Sequence, residues 1–302
     1  MPASPLFRSG FVALVGAPNV GKSTLMNAWL GQSLAAVSPR PQTTLRLQRC
    51  ILTLPAAQVV LVDTPGYHRP RHQLGKRIAR MAESASTDAD LVLAIFDLTH
   101  APDSDDLVAI EQLQRATQVR LIALNKLDAL PDSALPTRLE AYRHVLPDAE
   151  VWMISARRGD HRTDLLERIV ELLPPGPAYY PPEQVTETYE RDVAAELIRA
   201  AAMSCLEQEL PHSVATRVDE YLERGETGAR VQATLFVERP SQKAIVIGRG
   251  GEMIRRIGTL ARQEIEVMSG RKVYLELHVK VLPGWRNDDL ALRRLGFPPE
   301  PS

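Results

Sequence analysis

Residues 16–23, GAPNVGKS, fit the phosphate-loop pattern G-x-x-x-x-G-K-[ST]. In such a loop the glycines let backbone N–H groups turn toward phosphate oxygens, Lys22 neutralises charge on the β- and γ-phosphates, and Ser23 ligates Mg²⁺. The loop follows an apolar run at 11–16 and opens a helix-forming stretch, whose N-terminal dipole adds to the attraction for phosphate. The predicted nucleotide-binding residues of this segment are Gly16, Asn19, Val20, Gly21, Lys22, Ser23 and Thr24.

A phosphate loop alone does not separate GTP from ATP, but the segment NKLD at 125–128 does. The carboxylate of Asp128 can accept two hydrogen bonds from the N1–H and N2–H₂ edge of guanine, which adenine does not offer. A buried acceptor left unpaired costs about 1–3 kcal/mol, so this position discriminates between the bases. We expect Asn125 to brace the loop and the Lys126 stem to lie along base and ribose. In the segment SAR, backbone N–H groups at Ser155 and Ala156 are expected near guanine O6.

The segment DTPG at 63–66 ends a further apolar run. Asp63 is expected to hold Mg²⁺ through water, and the Gly66 N–H to sense the γ-phosphate. The proline-broken stretch at 38–47 is typical of a loop that orders around Mg²⁺ and is released on hydrolysis. One of its paired threonines, Thr43 or Thr44, would ligate the ion, and Thr44 is the preferred candidate. The predicted catalytic residues are Lys22, Thr44 and Gly66, and the predicted Mg²⁺ ligands are Ser23, Thr44 and Asp63.

The residue after Gly66 bears on the rate of hydrolysis. Small regulatory GTPases place a glutamine there to orient the attacking water, whereas this chain has Tyr67. An aromatic side chain cannot supply that amide, so slow intrinsic hydrolysis is expected. His68 and His72 are candidate bases, but phosphoryl transfer depends more on positioning and charge than on a strong base. We therefore favour their interpretation as solvated histidines on a loop.

Short β-rich runs alternate with helical stretches from Gly10 to about Leu173. Several runs are apolar without alternation, as in parallel strands covered by helices on both faces. The pattern predicts the α/β class, with a doubly wound sheet. The runs lie at 11–16, 47–54, 59–63, 91–97, 120–125 and 151–155.

Five prolines in PPGPAYYPP, residues 174–182, cannot continue a helix or join a central strand, and they predict a stiff linker. Beyond it the pattern becomes α+β. A long helix is expected at 190–210, and strands are expected at 213–223, 230–238 and 271–282. The predicted domains are 1–173, a linker at 174–186, and 187–302.

A second glycine cluster lies in AIVIGRGGEMIRRIG, residues 244–258, and three interpretations compete for it. A dinucleotide site requires G-x-G-x-x-G, but Met253 occupies the third glycine position. In the second interpretation the segment is only a helix–turn–helix corner of a packed domain, and its arginines are solvated. A KH module would use GRGG at 248–251 as the G-x-x-G loop that clamps single-stranded backbone.

Local charge favours the KH module. Residues 239–272 hold eight lysines and arginines against three glutamates, a net charge of +5, whereas the whole chain has −1. Periodicity alone makes AIVI a strand, whereas the KH pattern makes 241–247 a helix with Ser241 as its N-cap. The predicted RNA-binding residues are Lys243, Ile247, Gly248, Arg249, Gly250, Gly251, Arg255 and Arg256.

These motifs in this order resemble the Era family of translation-factor-type GTPases. The second half carries the resemblance through LPHS at 210–213, residues 241–254 and residues 279–297. The resemblance implies a P-loop GTPase domain followed by a type II KH domain, with Mg²⁺ as cofactor. It implies binding of 16S ribosomal RNA near its 3′ end and a role in 30S subunit maturation. It also implies K⁺ binding at Asn19, although this asparagine could simply bond its own loop.

Composition bears on the cellular location of the protein and on its rival functions. The chain has 302 residues, and its two cysteines, Cys50 and Cys205, fall in no metal-ligand spacing, so reduced thiols in a cytoplasmic protein are expected. No run of 18 apolar residues occurs. Peripheral contact with the inner membrane and a monomeric state are further expectations of the resemblance. The rival functions are a P-loop kinase or ATPase, and a membrane-signalling GTPase whose basic half contacts lipid.

Overall fold

The computed structural model describes residues 6–37, 45–66, 72–115, 118–147, 149–207, 210–225 and 227–297. By internal contacts these fall into two compact units. The first contains described residues within 6–31, 46–66 and 79–187, and the second contains those within 32–37, 45, 72–78 and 188–297. The units are therefore not contiguous in sequence. Among the described residues no helix is long and apolar enough to cross a bilayer.

The first unit is built on a six-stranded sheet in the order β2-β3-β1-β4-β5-β6. Its strands are β1 (Arg8–Val15), β2 (Gln48–Leu54), β3 (Ala57–Asp63), β4 (Leu91–Asp97), β5 (Val119–Asn125) and β6 (Val151–Met153). Its helices are α1 (Lys22–Leu30), most of α2 (Gln73–Asp88), α3 (Ser104–Arg115), α4 (Leu135–Val145) and α5 (Arg162–Leu172). Neighbouring residues of β1 point to opposite faces, yet Leu14 and Val15 are both buried. The sheet is thus covered on both faces, as expected for a doubly wound α/β fold.

One strand departs from the expectation of parallel pairing. β2 pairs antiparallel with β3, whereas the other four pairings of this sheet are parallel. Only Pro55 and Ala56 separate the two strands. So short a connection can reverse the chain but cannot make the crossover that a parallel pair requires. The sheet is mixed for this reason.

The predicted linker packs along the first unit. The buried side chain of Gln58 accepts hydrogen bonds through Oε1 from the backbone N–H groups of Tyr179 (2.7 Å) and Tyr180 (2.9 Å). Further along, the Ile51 N–H donates to the carbonyl of Val185 at 2.9 Å, at the edge strand β2. Polar partners and an edge strand therefore hold this proline-rich segment.

The elements of the second unit are, in chain order, α6 (Glu190–Cys205), β7 (Ala215–Arg224), β8 (Gly228–Val237), α7 (Pro240–Ile247), α8 (Glu252–Ser269), β9 (Lys272–Val281) and α9 (Asp289–Arg294). The order from α6 to β9 matches the predicted type II KH arrangement. The three strands form a sheet in the order β7-β8-β9, in which β7 and β8 pair antiparallel and β8 and β9 pair parallel. Alternate β8 side chains, such as Val231 and Leu235, pack with Ile198 of α6 and Ile257 of α8 in one core.

The stretch AIVI is helical, as the KH pattern predicted against periodicity, but its N-cap differs from the expectation. α7 begins at Pro240 with Arg239 as N-cap, rather than at Ser241. Proline at the first helical position needs no hydrogen-bond partner for its nitrogen. The Gln242 side chain accepts from the Arg239 N–H at 3.0 Å and closes the cap.

A second core in this unit gathers the C-terminal segment. Trp285 is fully buried, and its indole N–H donates to the Ser213 carbonyl at 3.2 Å. The other members of the core are Leu45, Leu74, Ile78, Ala215, Phe236, Ala291, Leu292, Leu295 and Phe297. The two predicted switch segments are the stretch at 38–47 and the DTPG segment at 63–66. Leu45 lies within the first of them, and Leu74 follows the second in the chain. Residues in or after the predicted switch segments therefore belong to this second core.

Candidate functional site

The predicted nucleotide motifs converge at one edge of the first sheet. The parallel register aligns Leu14 near the end of β1 with Asp63, and Asp97 at the end of β4 with Asn125. The phosphate loop follows β1, and the SAR segment follows β6. The carboxyl ends of parallel strands in such sheets form the usual ligand crevice. Segments distant in sequence thus meet because their strands are neighbours.

The phosphate loop places a buried ammonium group at the start of α1. Lys22 Nζ donates to the carbonyls of Gly16 (3.1 Å) and Ala17 (2.9 Å). Burial lowers the pKa of Lys22 to about 8, although the nearby Asp63 carboxylate opposes this shift. A phosphate group would supply the negative charge that favours protonated Lys22.

Ser23 and Asp63 are adjacent in space. Ser23 Oγ donates to Asp63 Oδ2 at 2.6 Å, and Asp63 is fully buried at the end of β3. A hydroxyl and a carboxylate are hard oxygen donors of the kind that Mg²⁺ prefers, so these residues fit the ion. Thr43 and Thr44 lie outside the described residues, so their predicted role stays a prediction.

Gly66 lies against the phosphate loop. A Cβ added at Gly66 would come within 2.7 Å of the Pro18 nitrogen, so no larger residue fits there without movement. Tyr67 and His68 lie outside the described residues. The Nδ1 of His72 accepts a hydrogen bond from the Gly75 N–H at 2.9 Å, in the first turn of α2. His72 is half-buried and caps the start of α2, whereas the sequence interpretation made it a solvated loop residue.

Asn125 ties the base-binding loop to the phosphate loop. Its Nδ2 donates to the Val20 carbonyl at 2.7 Å, and its Oδ1 accepts from the Ala156 N–H at 2.9 Å. Gly21 has a φ of +106°, and a Cβ there would come within 2.2 Å of Asn125 Nδ2. Glycine is thus required at this close approach. The bracing role predicted for Asn125 has a direct structural counterpart.

Two side chains of NKLD are held from opposite sides. Asp128 Oδ1 accepts from the Ser155 hydroxyl at 2.5 Å, which leaves Oδ2 for a base edge. Lys126 Nζ lies 2.5 Å from Asp97 Oδ2. The sequence reasoning missed Asp97, although an acid at the carboxyl end of a buried strand was a signal that could have identified it. Ser155 is a side-chain partner of Asp128. The backbone N–H groups predicted to face guanine O6 instead donate within the protein, Ser155 to the Asp160 carbonyl at 3.1 Å and Ala156 to Asn125 Oδ1 at 2.9 Å.

The GRGG loop joins α7 to α8. A Cβ at Gly248 would come within 2.7 Å of Met253, so this glycine permits close packing against α8. Gly250 and Gly251 have φ of +59° and +79°, with no atom within 4 Å of an added Cβ. Arg249, between Gly248 and Gly250, is exposed. The first glycine therefore serves packing, and the last two shape an open backbone at the N-terminus of a helix.

The structure distinguishes roles within the basic patch. Arg255 Nη2 donates to the Gly250 carbonyl at 2.6 Å, and its Nε donates to the Gly251 carbonyl at 3.1 Å. Arg271 instead pairs with Glu190 at 2.8 Å. Arg249, Arg255 and Arg256 are exposed, while Lys243 and Ile247 are half-buried, and Ile247 packs on the core of the second unit. The basic residues of the segment 239–272 thus have different roles: some brace the loop, some form structural ion pairs, and some are exposed.

Comparisons with known proteins identify the family. A model described as 50S ribosome-binding GTPase matches residues 11–126, and a KH domain model matches residues 209–286. The GTPase Era of Rippkaea orientalis is 43% identical over 294 residues, which cover 96% of this chain and 93% of that protein. The chain belongs to the Era GTPase family. The GTPase Era of Deinococcus deserti is 41% identical over 292 residues, which cover 96% and 95% of the two chains.

Two solved Era structures share the fold. One, in complex with MgGDPNP and nucleotides 1506–1542 of 16S ribosomal RNA, superposes with a TM-score of 0.90 at 32% identity. The other, a variant of Aquifex aeolicus Era bound to GDP and AlF₄⁻, gives 0.89 at 32% identity. In both cases the match covers 96% of this chain and 99% of the other. The predicted family, GTPase activity and P-loop GTPase–KH fold are confirmed, and the P-loop kinase or ATPase alternative was wrong.

Proposed function

We propose that this Era GTPase binds 16S ribosomal RNA near its 3′ end and assists assembly of the 30S subunit. The observation that carries the proposal is the exposed GRGG loop at the start of α8, within a complete type II KH topology. The solved Era complex with nucleotides 1506–1542 of 16S ribosomal RNA, at a TM-score of 0.90, supports that RNA as the ligand.

The family model that matches residues 11–126 is described as a 50S ribosome-binding GTPase, whereas the proposal concerns the 30S subunit. We give more weight to the RNA complex because it covers 96% of this chain, including the KH unit. The 50S description is attached to residues 11–126 alone, which lack the GRGG loop.

We also propose that the bound nucleotide controls access to the RNA. The second unit contains residues 32–37, 45 and 72–78, which lie within or near the predicted switch segments at 38–47 and 63–66. Within that unit Arg77 pairs with Asp289 at 2.7 Å, and the Gln73 N–H donates to Asn287 Oδ1 at 3.2 Å. These contacts support a route by which rearranged switches would alter the C-terminal segment.

RNA cross-linking and sequencing in cells tests this function. With protein held in GTP-bound and GDP-bound forms, we expect a dominant 16S peak near the 3′ end whose yield differs between the forms. A 23S peak would favour the 50S description, and messenger RNA enrichment without a ribosomal peak would overturn the assembly role. Equal yields in the two nucleotide states would refute the coupling.

The chemistry requires positioning more than a strong base. Mg²⁺, when held by Ser23 and Asp63, supplies positive charge to the phosphate oxygens. The backbone of the phosphate loop and the Lys22 ammonium orient the phosphates, and Gly66 keeps the DTPG segment against Pro18. Without a glutamine after Gly66, hydrolysis is proposed to be slow.

Asn19 is proposed to hold K⁺ beside the phosphates. It is exposed in the phosphate loop with a φ of +63°, and its amide oxygen is a suitable hard ligand. We expect replacement of K⁺ by Na⁺ to slow GTP hydrolysis by about fivefold or more, because the smaller and more strongly hydrated Na⁺ fits a K⁺ site poorly and its charge is then missing at the transition state. Single-turnover rates of GTP hydrolysis, measured in K⁺ and in Na⁺ at constant ionic strength, test this. In the Asn19→Ala variant we expect the rates in the two salts to become equal. Equal rates in the two salts for the unaltered protein would remove the K⁺ site.

We propose cytoplasmic action as a monomer, with peripheral contact at the cytoplasmic face of the inner membrane. The alternative of a membrane-signalling GTPase shares the charge signal but does not account for the GRGG loop. Liposome flotation alongside RNA gel shift separates them: binding to anionic vesicles without RNA affinity would favour the signalling function.

A further inference from the structure

A buried acid lies beside the base-binding loop. Asp97 is the last residue of β4 and is 7% exposed. The register of β4 and β5 aligns it with Asn125, and the Leu98 N–H donates to the Asn125 carbonyl at 2.9 Å. The backbone of Asp97 is thus fixed next to NKLD.

The two oxygens of this carboxylate have different partners. Oδ2 contacts Lys126 Nζ at 2.5 Å, and Oδ1 accepts from the Thr99 N–H (2.9 Å) and hydroxyl (2.6 Å). Burial opposes ionisation, but hydrogen bonds from Lys126 and Thr99 outweigh it and hold the pKa of Asp97 below its usual value. Asp97 is therefore a charged partner at neutral pH.

The main chain at Asp97 is held from the helix layer. The Tyr142 hydroxyl donates to the Asp97 carbonyl at 2.9 Å, and its ring packs against Phe96 with centroids 5.7 Å apart. Tyr142 is itself fully buried. Asp97 is therefore the fixed partner of the ion pair, and Lys126 is the mobile one.

Lys126 has a left-handed backbone, with φ of +68°, and a side chain about one-third exposed. A lysine chain of four carbons samples many rotamers unless its ammonium is held. The Asp97 contact fixes that end, just as Ser155 fixes Asp128 at 2.5 Å on the opposite side of the loop.

We infer that Asp97 is a positioning residue for guanine nucleotides: it anchors Lys126, so that the lysine stem forms a preformed wall of the base pocket. The inference rests on the assignment of Lys126 to that pocket. Because the base and ribose are common to GDP and GTP, the anchor acts on both nucleotides equally and not on the transferred phosphoryl group.

Asp97→Asn tests the anchor, since it removes the charge and keeps an acceptor for Thr99. We expect affinity for GDP and for GTP to fall by the same factor, about tenfold, from loss of a charge-assisted bond. KM for GTP should rise accordingly, with kcat at saturation unchanged. Asp103→Asn is the matched control. Asp103 Oδ1 caps α3 by accepting hydrogen bonds from the backbone N–H groups of Asp105 and Asp106, and an asparagine oxygen can accept the same bonds. A loss confined to GTP, or a fall in kcat alone, would overturn the inference.

A double-mutant cycle separates positioning from folding. Lys126→Met removes the other partner of the ion pair, the ammonium group. We expect it to lower the affinity for GDP and GTP by the same factor of about ten, and this can be measured even if Asp97→Asn does not fold. In the Lys126→Met background, Asp97→Asn should cause no further loss of nucleotide affinity. An equal loss in both backgrounds would show that Asp97 acts by another route. Unchanged affinity in Lys126→Met would instead remove Lys126 from the pocket and contradict the premise.

Discussion

Asp128→Asn lowers GTP affinity by about 100-fold or more and creates affinity for xanthosine triphosphate. The carboxylate offers acceptors to the two donors on the guanine edge, whereas an amide presents one acceptor and one donor group. Xanthine carries a carbonyl where guanine carries its amino group and can pair with that donor. Because Asp128 Oδ1 already accepts from Ser155 at 2.5 Å, an asparagine can keep this bond and turn its NH₂ toward the base. Competition binding against labelled nucleotide, with GTP and xanthosine triphosphate as competitors, measures the exchange.

The matched control is Asp132→Asn, an exposed acid a few residues further along the chain. It changes the same charge outside the pocket and should leave both affinities within about twofold. Unchanged GTP affinity in Asp128→Asn would refute the base-recognition role. Loss of both nucleotides would indicate a collapsed loop rather than altered recognition.

Gly250→Asp combined with Gly251→Asp abolishes RNA binding, with an affinity loss of about 100-fold or more, and leaves GTP affinity intact. Both positions are open, with no atom within 4 Å of an added Cβ, so the new side chains meet no steric obstacle. Two carboxylates would then oppose the phosphates at the helix N-terminus where backbone N–H groups attract them. Gel shift on a 16S 3′-end fragment and GDP titration on the same preparations provide the two readouts.

Gly250→Asn combined with Gly251→Asn is the control for shape. Asparagine tolerates the left-handed conformation at φ of +59° and +79° and carries no charge. We expect this variant to bind RNA more tightly than the aspartate variant, while both melt near the parent temperature. Retained RNA affinity in the aspartate variant would show that GRGG is not the clamp.

The nucleotide site could be predicted well because each of its motifs is a short contiguous segment. GAPNVGKS, DTPG and NKLD each contain the groups predicted to contact one part of the nucleotide, and apolar runs before them indicate the strands that position them. Asn125 confirms the value of this reasoning, since its predicted bracing role appears as the bond to the Val20 carbonyl. The antiparallel β2 was missed because apolar periodicity reports burial rather than strand direction.

The KH loop shows where local pattern was insufficient. AIVI reads as a strand by periodicity, and only the KH pattern made it the helix that the structure contains. The cap was still placed wrongly, at Ser241, because Pro240 can occupy the first helical position and Gln242 reaches back to Arg239. A side chain that closes a helix from within its first turn is easily mistaken for an ordinary helical residue.

By itself the sequence determined that this protein binds guanine nucleotides and carries a glycine loop suited to a phosphate backbone. Those functions depend on chemical groups within a few residues of one another. Only the tertiary structure decided that Asp97 anchors Lys126, 29 residues away, and that Arg77 pairs with Asp289, 212 residues away. It also decided that Arg255 braces its own loop while Arg271 forms an ion pair. Such pairings depend on which strands and helices become neighbours, and the spacing of residues along the chain does not encode that directly.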